Sequence, residues 1–209
     1  MEPIIRPYRS GDREDVYEVC VRTGAASKDA RGLYSTDDLI PDIYAGPYLL
    51  IEPELAFVLD DGKRAVGYII GTADTERFVR AYRDRWLPSM LERYPLPPAE
   101  PETAEERQLA NLFNPERLIR PELAPHPAHL HINLLPDYQG QGHGRDLMAT
   151  FLDAAGRAGA PSVHLSVYTA NTSARGFYAR LGWHEVPASS PGPWTFLARA
   201  CGPNGRQQA

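Results

Sequence analysis

The most regular pattern of apolar and polar positions lies in the second half of the chain. In "HLHINLLPDY", Leu130, Ile132 and Leu134 alternate with His129, His131 and Asn133. A period of two predicts a strand with two unlike faces. In "RDLMATFLDAAGRAG", Leu147, Met148, Phe151, Leu152 and Ala155 recur at three- and four-residue steps, the apolar stripe of an amphipathic helix. Upstream, residues 3–8 predict a first strand, and "SGDREDVYEVCVRTG" predicts a helix capped by Ser10 or Asp12 with Val16, Val19 and Cys20 buried. "ELAFVLDDGKRAVGYIIGTAD" contains β-rich runs joined by Asp-Gly between residues 60 and 63, a hairpin signal. From about 75 to 127 the pattern turns helical again: a helix from Phe78 to Arg93, a Pro-rich break at 95–101, and a shorter helix from Thr103 or Ala104. Its aromatics Tyr82, Trp86 and Tyr94 are either walls of a substrate pocket or the packing of the insert itself.

Between the alternating strand and the amphipathic helix stands "QGQGHG". Gly140, Gly142 and Gly144 lack Cβ atoms, so the backbone there is free to take positive φ and its amides can approach a ligand closely. Where such a loop opens a helix, free amides and the helix dipole favour an anion. Glycines also make tight turns that bind nothing, so the flanking chemistry decides. A dinucleotide fingerprint needs G-x-G-x-x-G and an acidic end to the next strand, whereas the spacing here is G-x-G-x-G and "SVHLSVYTAN" has no carboxylate. A P-loop needs Gly-Lys-Ser/Thr, and His143-Gly144-Arg145 is not that.

Composition narrows the classes further. The 209 residues suffice for a full core, and 43% hydrophobic with 23% charged residues is ordinary for a globular protein. A formal net charge of -5 argues against non-specific nucleic-acid binding. Cys20 and Cys201 make no disulfide framework, and no Cys/His spacing suggests a metal. No apolar run resembles a signal core or a membrane span, so a cytoplasmic location is expected and the "NTS" sequon at 171–173 is inert.

Gln139, Gly142 and Gly144 match the [Arg/Gln]-x-x-Gly-x-[Gly/Ala] acyl-CoA loop of the GNAT N-acetyltransferase superfamily, with Pro136 and Tyr138 where that family often has proline and an aromatic. "SVHLSVYTANTSARGFYARLGWHEV" resembles the family's next strand, Asn-containing turn and F-Y-x-x-L-G-[FW] helix. The resemblance implies an α/β (α+β) fold: a mixed, mostly antiparallel sheet, splayed at the acyl-CoA slot and flanked by helices, with the helical insert between strands 3 and 4. One such domain is expected over residues 1–200, and the bare "GPNGRQQA" end makes 201–209 an expected disordered tail. The resemblance further implies acetyl-CoA as co-substrate and a primary amine, of a small molecule or a lysine, as acceptor, attacked directly in a ternary complex. Backbone groups of Leu134 and Leu135 would pair with the pantetheine arm; the amides of Gln139, Gly140, Gln141, Gly142, His143 and Gly144, with Arg145, would hold the pyrophosphate; Asn171 and Ser173 would touch the far side of the CoA. Tyr178 stands where the family places the tyrosine that protonates the leaving sulfur. Monomers and homodimers both occur in the family.

The wider order, "IRPYRSGDREDVYEVC" to "WLPSMLERYP", resembles the acetyltransferase-like domain of eukaryotic O-GlcNAc hydrolases and its stand-alone bacterial relatives. The eukaryotic domain resembles a GNAT without the glycine loop; here the loop is intact. "AHLH" is similar to the paired histidines of arylalkylamine N-acetyltransferases, which implies a proton relay through His129 and His131, with His131 nearer the acetyl group. An alkylammonium near ~10.4 stands some four units above imidazole near ~6.5, so such a histidine is expected to work through water on the neutral amine. Asn133, on the same face, takes no proton and can only position a substrate. A non-catalytic module that holds CoA or a peptide is the alternative.

Overall fold

A computed structural model describes residues 2–25, 28–189 and 192–202. Strand β1 (Ile4–Pro7) is followed by helices α1 (Arg13–Arg22), α2 (Leu39–Tyr44) and α3 (Gly46–Ile51). Strands β2 (Ala56–Asp60) and β3 (Ala65–Thr72) form the expected hairpin. Its turn is shaped by Gly62 at φ 91° and by Asp60, whose Oδ1 accepts the Gly62 amide at 2.7 Å. The insert holds α4 (Thr75–Ala81), a π-turn (Tyr82–Trp86), α5 (Leu87–Arg93) and α6 (Ala104–Phe113). Strand β4 (Ala128–Leu134), helix α7 (His143–Arg157), strand β5 (Ser162–Tyr168), helix α8 (Thr172–Arg180), and strands β6 (His184–Val186) and β7 (Trp194–Ala200) complete the order.

The strands form one sheet in the order β1-β2-β3-β4-β5-β7-β6. Every seam is antiparallel except β4–β5, which is parallel. Helix α7 covers one face across β2 to β5, while α1 and α3 cover the other at β3, whose residues are all buried. Close packing there demands glycine at Gly71, where a Cβ would lie 2.2 Å from the His129 carbonyl and 2.5 Å from the Phe151 ring.

The insert's first helix begins at Thr75 rather than Phe78, because Asp74 caps it by accepting the Arg77 amide at 2.9 Å. The shorter helix, expected from Thr103 or Ala104, begins at Ala104 and is opened by a capping box of Thr103 and Glu106. Asp12 stands at the start of α1 but gives it no side-chain cap; its carboxylate is held instead by Arg6 at 2.7 Å and the Arg9 amide at 2.8 Å.

Tyr82, Trp86 and Tyr94 are all buried, and they pack the insert rather than wall a pocket. Tyr82 donates to the Leu112 carbonyl at 3.1 Å and Trp86 to the Asp42 carbonyl at 3.0 Å. Fully buried Asp42 accepts from Tyr17 at 2.6 Å and Tyr94 at 2.8 Å and pairs with Arg93 at 2.9 Å, binding α1, α2 and the insert together. Burial raises the Asp42 pKa, and these donors oppose that shift. At the other end, Cys201 still donates its amide to the Pro161 carbonyl at 2.9 Å, and residues 203–209 lie outside the described residues.

Candidate active site

Strand β4 is paired very differently on its two edges. Against β3 the ladder runs from Thr72–His129 to Gly67–Leu134, and the Leu135 amide continues it to the Val66 carbonyl at 3.0 Å. Against β5 only Ala128–Val163 and His129–His164 are in register, after which the two strands part. Antiparallel residues alternate in where their backbone groups point. Since Leu135 bonds to β3, His129, His131 and Asn133 do the same, and Ile132 and Leu134 turn theirs toward the open slot. The Leu135 amide is therefore unavailable to anything in the slot, and the Leu134 carbonyl already accepts Gln139 Nε2 at 2.8 Å.

At the mouth of that slot the chain turns through a 3-10 segment, Pro136–Tyr138, into α7. Tyr138 pins the turn to the β2–β3 hairpin by donating to Asp61 at 2.8 Å, and Gln141 Nε2 donates to the Asp137 carbonyl at 2.6 Å. Positive φ is confined to Gly140 at 73° and Gly142 at 94°, the latter standing immediately before the helix. Gly144 is helical, and its lack of a Cβ serves close packing: one there would lie 3.3 Å from the Phe177 ring of α8. Among the described residues, the amides of Gly140, Gln141, Gly142, His143 and Gly144 donate to no protein acceptor. Buried His143 Nε2 also lacks a partner. Arg145 is exposed beside them, 3.2 Å from Asp146. Five consecutive free amides at the positive end of a fifteen-residue helix offer donors of the kind that suit an anion.

Helix α8 carries the remaining motif residues. Asn171 caps it, accepting the Ala174 amide at 3.0 Å, and Ser173 is exposed in its first turn. Tyr178 is half-buried between Phe177 and Trp183, at ring distances of 5.2 and 5.9 Å. Its hydroxyl bonds to no described residue, and burial pushes its pKa up to about 12.

The polar face of β4 is divided between its histidines. His129 is 4% exposed and both of its ring nitrogens are engaged: Nδ1 with Thr75 Oγ1 at 2.7 Å and Nε2 with the Tyr48 hydroxyl at 2.7 Å. It has no nitrogen left for a substrate. His131, one step toward the slot, is only partly buried and touches Tyr48 through Nε2 at 3.0 Å. No described residue bonds to its Nδ1. Burial, then the nearby Arg117 charge, depresses the His131 pKa to about 4. His129 is lowered well below its usual value by burial and by its histidine neighbours. Asn133 donates through Nδ2 to Thr23 Oγ1, and Thr23 in turn donates to the Val19 carbonyl at 2.7 Å. Its amide ties β4 to the end of α1.

Residues 25–183 match the model of the Acetyltransferase (GNAT) family. The chain belongs to the GNAT acetyltransferase family. It is similar to SsHAT, whose crystal structure shares 52% identity and a TM-score of 0.93, covering 97% of this chain and all (100%) of that one. Protein O-GlcNAcase of Rattus norvegicus is 28% identical over 186 residues, 87% of this chain and 20% of that protein. The chain thus spans about a fifth of the length of the curated relatives it matches, and the match supports the resemblance to their acetyltransferase-like domain. The fold alone is shared with yncA of Salmonella typhimurium, a structure with acetyl-CoA as its cofactor, at 14% identity and a TM-score of 0.56 over 98% of this chain and 97% of that one.

Around the GNAT slot stand residues that the sequence did not single out: Thr23, Tyr44, Tyr48, Thr75 and Arg117. Tyr48 reaches His129 from 81 positions away and Thr75 from 54, so no local spacing announces either contact. Arg117 comes from the insert, stacking over Tyr44 at 5.6 Å, and Tyr44 lies 6.0 Å from the His131 ring. The insert thereby contributes charge to the site even though Tyr82, Trp86 and Tyr94 do not line it; of its buried aromatics Phe78 does, with its ring 5.5 Å from that of His129. Among the described residues no three His, Cys, Asp or Glu side chains group as metal ligands, and no helix is long and apolar enough to cross a membrane.

Proposed function

We propose that this GNAT protein is an N-acetyltransferase that moves an acetyl group from acetyl-CoA to a primary amine within a ternary complex. The observation that carries the reading is the run of free amides from Gly140 to Gly144, set where β4 parts from β5. A diphosphate fits that cradle by charge and by hydrogen-bond type: donors without acceptors, at a helix N-terminus, with Arg145 alongside. Ile132 and Leu134 offer the backbone edge that an extended amide-containing arm pairs with, in place of Leu135. Asn171 and exposed Ser173 stand at the start of α8, which faces the loop through Phe177. Residues 1–200 act in this reading as one domain, the insert being part of its core.

Acetyl-CoA, when bound, supplies an acyl group activated as a thioester. Tyr178 keeps its proton on Oη throughout the working pH range. A phenol at about 12 is a weaker acid than a thiol near ~8.5, so its contribution is a hydrogen bond toward a developing thiolate rather than full proton transfer. His131 at about 4 is neutral and serves as an acceptor that orients the amine. It is some six units too weak to deprotonate an alkylammonium near ~10.4, so the amine reacts from its neutral fraction and sheds its proton to water. His129 acts behind it, and Asn133 shapes the wall from its tie to Thr23.

Isothermal titration of acetyl-CoA into wild type and Gly142→Glu tests the cradle, and thioester consumption with amines spanning pKa ~8 to ~10.4 tests turnover. Saturable binding lost in the variant, with turnover that falls in Tyr178→Phe, supports the reading. Absence of wild-type binding refutes it. Binding without turnover on any amine leaves a CoA-holding module, the reading that Asn133, a side chain unable to take a proton, favours.

A further inference from the structure

The hydrogen bonds behind His131 can be given a direction, because one end of the chain of contacts has only one solution. Thr75 Oγ1 lies 2.7 Å from the Pro127 carbonyl oxygen. Two oxygens at that distance need a hydrogen between them, and a carbonyl has none, so the Thr75 hydroxyl donates there. Its single hydrogen is then spent, and at 2.7 Å from His129 Nδ1 the same oxygen must accept. His129 therefore carries its proton on Nδ1. Being buried and neutral, it offers a bare Nε2, to which the Tyr48 hydroxyl donates at 2.7 Å. Tyr48 in turn has no hydrogen left, so at 3.0 Å its oxygen accepts from His131 Nε2–H. Each step follows from counting one hydrogen per hydroxyl and one per neutral imidazole.

The surroundings keep both rings neutral. His164, the cross-strand partner of His129, donates Nδ1–H to the His126 carbonyl at 2.6 Å, and its ring lies 5.5 Å from that of His129. Arg117 stands on the insert side and disfavours positive charge on His131. Tyr44, Tyr48 and Phe78 fill the remaining space around the two rings, and none of them supplies a carboxylate.

We propose that Thr75 and Tyr48 are positioning residues that lock His131 as the Nε2–H tautomer, so that its Nδ1 lone pair is presented as a hydrogen-bond acceptor to the incoming amine. Only the identity of that donor rests on the acetyltransferase reading; the tautomer does not. The chain of bonds ends on a backbone carbonyl, which cannot carry a proton onward. It therefore orients the site and does not conduct protons out of it. A neutral amine presents N–H groups, so an acceptor in the wall favours it over a ligand whose only polar groups are acceptors.

Two-bond 1H–15N correlation spectra of the 15N-labelled full chain near pH 7.5 read the tautomers directly, with His131→Asn and His129→Gln assigning the signals. The expected wild-type pattern is Nε2–H for His131 and Nδ1–H for His129. Tyr48→Phe keeps the ring stacked on Phe78 at 4.4 Å and removes only the hydroxyl, so His131 should show a mixture of tautomers. Thr75→Val should unlock both rings, and Thr75→Ser should restore the wild-type pattern. With turnover measured alongside, Tyr48→Phe should lose about tenfold in kcat/KM for the amine while acetyl-CoA affinity is unchanged. An Nδ1–H or doubly protonated His131 in the wild type, or no change in Tyr48→Phe, overturns the proposal. A protein that turns over no amine but shows the expected tautomers refutes the acetyltransferase reading and leaves the lock standing.

Discussion

The glycine loop and the histidine wall flank the same strand, β4, yet they are built from different parts of the chain. Residues 140–144 present backbone: free amides and positive φ at Gly140 and Gly142, braced by the Gln139 and Gln141 side chains, while the Gln139 amide, expected among the phosphate donors, is spent on the Pro136 carbonyl at 3.1 Å. The wall presents side chains brought from α3, β4 and the insert helix α4, each satisfying the next. A backbone site is local, so it is written in consecutive residues and tolerates change in most of its side chains. A side-chain site is collective, so it is written nowhere in particular and fails when a single hydroxyl is removed.

That contrast can be broken by experiment. The largest effect is expected from Gly142→Glu, which forces a Cβ and a carboxylate into a φ of 94° among the free amides: acetyl-CoA affinity should fall at least ~300-fold by calorimetry, with Tm shifted by less than about 5 °C. An affinity within tenfold of wild type would mean that the cradle is not built of backbone. Next, His129→Leu leaves the Tyr48 and Thr75 hydroxyls without their ring partner and should cost about 2 to 3 kcal/mol in urea unfolding while acetyl-CoA affinity stays within about twofold. Equal damage to both would show that wall and loop are one cooperative unit.

A smaller effect should come from pH. His131 and His164 have folded pKa values depressed to about 4, below the unfolded ~6.5, so the unfolded chain binds more protons between these values. Stability from this source is complete above pH ~6.5 and is lost as the pH falls toward 4. Between pH 6.5 and 4.5 the loss should be about 2 kcal/mol, less than the full two-group sum because His131 is partly open to solvent. A flat profile over that window would mean the wall is hydrated and its rings titrate normally. Tyr178→Phe is expected to lower kcat about tenfold with acetyl-CoA binding unchanged, measured by thioester consumption and titration. The smallest change, about threefold in acetyl-CoA affinity, is expected for Gln139→Ala, since that side chain only braces the Leu134 carbonyl. A loss as large as that of Gly142→Glu would make the loop depend on its side chains after all.

Legibility followed the same division. The β4 alternation, the α7 stripe, the Asp-Gly hairpin and the helix start at Thr103 or Ala104 were readable because each depends on neighbours within a few residues. The glycines were readable as a group but not in function: Gly144 looked like Gly140 and Gly142, yet it is helical and makes room for Phe177. Leu135 looked like Leu134, yet strand parity sends its amide to Val66. His129 and His131 were readable as a pair on one face, with His131 favoured as nearer the acetyl group, but the engagement of both His129 nitrogens by Thr75 and Tyr48 was not.

What the sequence by itself determined is the set of local geometries: strand faces, helix stripes, turn positions and an amide cradle at a helix start. Tertiary structure alone decided which edge of β4 stays open and which histidine stays available. The pairing with β5 stops after His129, and Tyr48 arrives from α3, 81 positions away. Periodicity and turn chemistry act over a few bonds along the chain, whereas the partner of a buried hydroxyl is chosen by close packing across it.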